Sequence, residues 1–303
     1  MKRVAVSGLD VVPPKNSSAF ACQTPTYMPK MHMLCAVIGK RGSGKSVAIT
    51  NLLEKLQVID RLFIVSPSIN SNKALVDRLS GMIVDKTDLY NDPDDVTILD
   101  DIVKKLEKER DDLELYREKL KRWNRLMTGI NSRNPLFNLS DDDLLSAYDG
   151  GRFGKPKHQW DGRVPCCAVW FDDVLGSNIM SGRGGKRLAK LCMYHRHLAP
   201  FAKGGAVGLS MIFAMQSYKS NAGGLSKTIR NNLTLIILFS TKSKKELAEV
   251  AEEASGEVDE QTFYEVYNAA IQKPHDFLMI DLHPKKEFFS NFRRNFSEFL
   301  VPQ

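Results

Sequence analysis

From Met33 onward, short apolar runs alternate with segments of helical period. Leu34 to Ile38 is a continuous apolar run of strand length. Val47 to Leu56 spaces its apolar residues by three and four, and Arg61 to Ser66 is again mostly apolar. Strand, helix, strand is a βαβ unit, and parallel strands covered by helices on both faces read as unbroken apolar stretches rather than alternating ones. The same signature recurs at Cys167 to Phe171, Leu209 to Met215, Leu233 to Phe239 and Phe277 to Leu282. Together these runs predict an α/β fold with a mostly parallel sheet flanked by helices.

Two stretches depart from this rhythm. Residues 1–32 carry Pro13, Pro14, Pro25 and Pro29 among Ser and Thr without a sustained period, which predicts an extended N-terminal arm of the kind that docks on a neighbour. In the segment from Asp94 to Gly129, Leu99, Ile102, Leu106, Glu109, Leu113, Tyr116, Leu120, Trp123 and Met127 step by three and four, a heptad seam that only Glu109 interrupts. A helical insertion over about 94–150 is therefore expected within a main domain of residues 33–303. It either packs its stripe on that domain or acts as a lever or oligomer contact. Residues 129–165, rich in Gly, Asn and Pro, are expected to loop back to the sheet.

Composition narrows the class. The 303 residues are 43% hydrophobic and 26% charged, which excludes disorder and collagen-like repeats. No apolar stretch approaches the roughly 18–20 residues of a bilayer span, so no membrane insertion is expected. The N-terminus lacks the long apolar segment of a secretory signal, and secretion is not expected. The formal charge of +7 is compatible with a nucleic-acid partner without requiring one. Cys22, Cys35, Cys166, Cys167 and Cys192 have no metal-ligand spacing; their odd number and apolar settings predict reduced, buried thiols in a cytosolic compartment.

The strongest chemical signal is Gly39, Lys40, Arg41, Gly42, Ser43, Gly44, Lys45, Ser46. It matches G-x-x-x-x-G-K-[ST] at every specified place and lies between a predicted strand and a predicted helix that continues through Val47. Glycines let successive amides turn inward around a triphosphate, and the following helix adds its positive N-terminal end. In this Walker A reading Lys45 reaches the β and γ phosphates of ATP and the Ser46 hydroxyl ligates Mg²⁺. A partner carboxylate is expected at the end of a neighbouring strand, and Ala168 to Asp173 ends an apolar run in two acids. Asp172 is the Walker B metal-side acid and Asp173 the general base, although an acid ending a strand can also simply cap a helix. Gln216 follows the Leu209 to Met215 strand and is read as a sensor of the γ phosphate or lytic water, against a plain turn residue. Arg196 and Arg230 are candidates to stabilise transition-state charge, the alternative being helix-end arginines. His195 and His197 read as packing or hydrogen-bonding partners.

Taken in order, GKRGSGKS, AVWFDDV, the RH pair of MYHRHLAP, and IFAMQSYKS followed by TIRNNLTLIILF resemble the DNA-packaging ATPases of large eukaryotic DNA viruses, poxvirus-type members of the FtsK/HerA superfamily of P-loop NTPases. The resemblance covers Met33 to Ser66 and Cys166 to Leu282. It implies a RecA-like sheet, a ring homo-oligomer in the form of a hexamer or pentamer, and ATP hydrolysis that drives double-stranded DNA into a viral capsid or through a portal component. The site of action would be the virion or the host-cell cytoplasm at the viral assembly site. Lys45 and Ser46 match the Walker A pair, Asp172 and Asp173 the Walker B pair, Gln216 the sensor, and Arg230 or Arg196 an arginine acting on a neighbour's nucleotide. The family's acid pair usually ends in Glu, where Asp173 stands here, and neither the heptad segment nor the Ala202 to Gly208 loop belongs to its shared core.

A DNA motor grips phosphates rather than bases. Arg183, Lys186, Arg187 and Lys190 form one candidate contact cluster, and Lys285, Lys286, Arg293 and Arg294, with Phe288, Phe289 and Phe292 between them, form a second. Either can be a solvated surface. Competing classes are a P-loop kinase of a small molecule or nucleoside, for which no lid or acceptor pocket is evident, and a non-catalytic nucleotide-binding assembly factor, which two retained acids disfavour. No N-K-x-D guanine motif and no L-S-G-G-Q signature occurs.

Overall fold

The computed structural model describes residues 22–302 apart from 133–140, 142–144, 146–147, 150–151, 220–223 and 255–257. The strands are β1 Leu34–Ile38, β2 Arg61–Val65, β3 Leu89–Tyr90, β4 Tyr148–Asp149, β5 Arg152–Phe153, β6 Cys167–Asp172, β7 Ser210–Met215, β8 Leu235–Phe239, β9 Phe277–Asp281, β10 Phe292–Arg294 and β11 Glu298–Leu300. The helices are α1 Lys45–Leu56, α2 Lys73–Arg78, α3 Ile98–Ser132, α4 Gly182–Tyr194, α5 Lys227–Arg230, α6 Lys244–Ala254 and α7 Glu260–Ala270. Nine strands form one sheet in the order β11-β10-β9-β8-β1-β7-β6-β2-β3, and β4 and β5 make a separate hairpin.

From β3 to β8 every neighbouring pair is parallel. Both faces are covered: Leu34, Ala36 and Ile38 of β1 point into one apolar core and Cys35 and Val37 into the other. This two-sided burial is why the strands are unbroken apolar runs. The arrangement is a RecA-like α/β sheet, with α1 following the first strand and the acid-bearing strand β6 one position removed from it, across β7.

At the other edge the sheet turns antiparallel. β9 pairs antiparallel with β8, and β10 and β11 extend that edge as a hairpin. The connection explains the reversal. One crossover helix would return the chain to the opposite end of the sheet and give a parallel neighbour. Two helices in succession, α6 and α7, bring it back to the end it left.

The described part of the N-terminal arm docks on its own chain. Met28 and Met31 are buried in the same apolar core as the inner face of α1. Lys285 donates to the carbonyls of Thr24 and Pro25, and Arg293 donates to that of Tyr27. Residues 1–21 lie outside the described residues. The docked arm also corrects the cysteine expectation: Cys22 and Cys166 form a disulfide, with Cα atoms 6.2 Å apart across a separation of 144 residues. Sequence spacing could not reveal a pair that only docking brings together. Cys35, Cys167 and Cys192 are buried free thiols, and burial pushes each above its ordinary pKa.

Helix α3 packs the first half of its stripe on the sheet, with Leu99, Ile102, Leu106 and Leu113 in the core. Glu109, the interruption in the seam, is buried because it accepts from Arg61 Nη1 at 2.7 Å and from Trp160 Nε1 at 2.6 Å. No described helix is long and apolar enough to cross a membrane.

Candidate phosphate-binding site

Between β1 and α1, residues 39–44 form a tight loop whose start is tied to the sheet by Gly39 N–H donating to Met215 O at 3.0 Å. A Cβ at Gly39 would lie 2.6 Å from Ser43 Oγ and 2.8 Å from Phe239 Cβ, so no side chain fits there. Gly44 enters the helix at φ +102°, a conformation that L side chains rarely adopt. The first turn of α1 contains no acidic residue, and its N-terminus has no side-chain cap. Its amides are therefore open to an external anion.

Lys45 Nζ folds back to donate to Gly39 O at 2.6 Å and Lys40 O at 3.0 Å. Burial lowers its pKa, while Asp172 and Asp173 oppose that shift. The Ser43 hydroxyl is buried inside the loop with no hydrogen-bond partner.

A cavity of about 1030 Å³ runs along the carboxyl ends of the strands and brings the predicted residues together. Arg41, Gly42, Gly44, Lys45, Ser46 and Val47 line it from the cradle, Asp172 and Asp173 from the end of β6, and Gln216 from the end of β7. Burial raises the Asp172 pKa and the neighbouring Asp173 adds to the rise; Lys45 and a 3.5 Å hydrogen bond from Ser66 Oγ work the other way. Two adjacent carboxylates facing one ammonium suit a divalent cation. Asp173 sits in the left-handed region at φ +52°, and Gln216 Nε2 donates to its Oδ1 at 3.3 Å. The acid pair and the predicted sensor are thus in direct contact.

The two arginines lie elsewhere. Arg230 is clamped by Glu253 at 2.8 and 3.2 Å, donates to Leu225 O and stands over the Tyr218 ring. Arg196 lines a separate cavity with His32, Thr234 and Asp281, beside the amino ends of β1 and β8. Neither lines the phosphate cavity of its own chain. His195 is buried between the carbonyls of Cys192 and His32, and burial lowers its pKa. Among the described residues no group of three or more His, Cys, Asp and Glu could hold a metal ion.

Of the basic clusters, Arg183, Lys186 and Lys190 are exposed on α4, whereas Arg187 is bound to Asp100 of α3 at 2.7 and 3.0 Å. The second cluster is mostly internal. Arg293, 1% exposed, is held between Phe288 and Phe299 with its guanidinium 4.2 and 4.1 Å from the ring centroids. Arg294 binds Asp276 and Lys285 secures the arm, which leaves Lys286 as its exposed member.

Sequence reasoning missed the other walls of the cavity. Ser68 lines it from beyond β2, and His275 reaches the loop itself, its Nδ1 3.1 Å from Ser43 O. Phe239, Pro274, Phe277 and Phe296 complete the side toward β8 and β9.

No protein-family model matches the chain, and no curated protein matches it. Among solved structures it is similar to the genome packaging NTPase B204 from Sulfolobus turreted icosahedral virus 2 in complex with ATP-gammaS, at 14% identity over 87% of this chain and 96% of that chain, with a TM-score of 0.41. It is also similar to VirB4 of Thermoanaerobacter pseudethanolicus, at 13% identity over 89% and 90% with a TM-score of 0.42. For the pCW3 conjugation coupling protein TcpA the figures are 13% identity, 88% of this chain, 69% of that chain and a TM-score of 0.41. Likeness this loose carries no functional weight, which falls instead on the cavity and the residues lining it.

Proposed function

We propose that this chain is a Mg²⁺-dependent ATPase that moves double-stranded DNA, working as a ring of identical subunits that packages a viral genome into a capsid. The supporting observation is one juxtaposition: Lys45 and Ser46 of the cradle share a cavity with Asp172, Asp173 and Gln216. The loop amides and the ammonium of Lys45 hold the triphosphate. Ser46 and Asp172 are the residues to hold Mg²⁺, which when bound neutralises charge on the phosphate oxygens. Asp173 accepts a proton from the attacking water, and Gln216, already in contact with Asp173, orients that water. Arg230 or Arg196 would serve the nucleotide of the next subunit in the ring, Arg230 after release from Glu253. Arg183, Lys186 and Lys190 offer the duplex three phosphate contacts on the exposed face of one helix.

The test is ATP hydrolysis and DNA binding by the full chain over a range of salt concentrations. Duplex DNA is expected to raise the hydrolysis rate. The triple substitution Arg183→Ala, Lys186→Ala, Lys190→Ala should flatten the slope of log affinity against log salt by about 2.7, at roughly 0.9 for each phosphate no longer neutralised. Hydrolysis that duplex DNA left unchanged at every salt concentration would remove the motor from the proposal.

A further inference from the structure

The sheet order gives the cavity a direction. The cradle on β1 stands between β7 and β6, which bring Gln216, Asp172 and Asp173, and β8 and β9, which bring Phe239 and Phe277. A triphosphate whose terminal phosphate faces the acids therefore extends its nucleoside toward β8, β9 and the β10–β11 turn. Apolar surfaces stand there: Pro274 and Phe296 line the cavity, as does Val47, an apolar side chain left 60% exposed in the first turn of α1.

The polar side chains on that side each already make at least one hydrogen bond. Asn295 Oδ1 accepts from Phe277 N–H at 3.1 Å, and its Nδ2 donates to Asp276 Oδ1 at 3.0 Å. Asp276 Oδ2 accepts from Arg294 Nη2 at 2.9 Å and from Lys273 N–H at 2.8 Å. Asn51 donates to Val47 O at 2.8 Å and accepts from Arg78 at 3.3 Å. His275 directs Nδ1 at Ser43 O, and Pro274 has no N–H to offer. A base entering this side meets the Phe296 ring and aliphatic carbon, beside side chains that each already hold at least one hydrogen bond.

On the reading of the site given above, we infer that the nucleobase is held by stacking and apolar contact beside Phe296, so that ATP and GTP are both substrates. Stacking on an aromatic ring tolerates any base, because every base offers a π face. Strong rejection of one base by a pocket instead requires hydrogen-bonding groups that the wrong ligand leaves unpaired.

Equilibrium binding of ATP, GTP and tripolyphosphate to the full chain in Mg²⁺, followed by their hydrolysis, separates the possibilities. ATP and GTP are expected to bind within about fivefold of each other, and tripolyphosphate more weakly. Phe296→Ala should weaken both nucleotides to a similar extent, by roughly tenfold, the low end of a stacking contribution. Its tripolyphosphate affinity should stay as in the wild type, which also reports that the cradle is intact. Phe296→Trp, which keeps an aromatic face, should restore both nucleotides. GTP binding more than about fiftyfold weaker than ATP, or ATP affinity unaffected by Phe296→Ala, would overturn the inference and leave the phosphate site standing. Failure of all three probes to bind the wild type would overturn the proposed function itself.

Discussion

Lys45→Ala is expected to lower ATP turnover by roughly a thousandfold while leaving the protein folded. Removing one preorganised group that stabilises transition-state charge typically costs 10²–10³ in rate, or about 3–4 kcal/mol of barrier. Lys45 is the cationic side chain of the cradle on which Asp172 and Asp173 both act. Its ammonium now rests on the carbonyls of Gly39 and Lys40, so binding a triphosphate exchanges two neutral acceptors for charged ones, and alanine cannot make that exchange. Stability should change little, because alanine is the best helix former and Lys45 begins α1. Phosphate release measured beside a thermal melt checks both halves. Turnover within tenfold of wild type would take Lys45 out of the chemistry.

Arg61→Met should destabilise the fold by about 3–5 kcal/mol, the cost of breaking a buried ion pair from one side. Arg61 is 7% exposed and donates to Asp88, itself 0% exposed, at 3.0 and 2.8 Å, and to Glu109 at 2.7 Å. Without it Asp88 keeps Lys105 at 3.2 Å, and Glu109 keeps Trp160, each a buried carboxylate with less than its former compensation. Adding Asp88→Asn and Glu109→Gln to Arg61→Met should recover part of the loss, because neutral amides are cheaper to bury. The network lies at the amino end of β2, away from the cradle, so nucleotide affinity should hold at temperatures where the variant is folded. Urea titration gives the stability difference, and a shift below about 1 kcal/mol would show the network to be dispensable.

The parallel half of the sheet was legible in the sequence because two-sided burial writes each strand as an apolar run. Apolarity says nothing about direction, so the antiparallel course of β9 followed only from the helix pair before it. β3 has two residues, and β10 and β11 mix Phe with Arg and Glu, so no run announces them. The phosphate cradle was legible through spacing, since its glycines and Lys45 are local requirements of one loop. His275 and Phe296 were not, because they arrive from loops more than 200 residues downstream and carry no motif of their own. The same limit made Arg293 and Arg294 look like a DNA-binding surface. A charge run reads alike whether its members face water or, as here, aromatic rings and a buried Asp276.

The decisive comparison is ATP affinity with and without Mg²⁺, in the wild type and in Asp172→Asn. If Asp172 is the counter-ligand to the cradle, Mg²⁺ should tighten ATP binding to the wild type by at least about tenfold, or 1.4 kcal/mol. Asp172→Asn should lose most of that gain while binding metal-free ATP no more weakly than the wild type. An equal Mg²⁺ gain in both proteins would place the metal elsewhere and contradict the shared site.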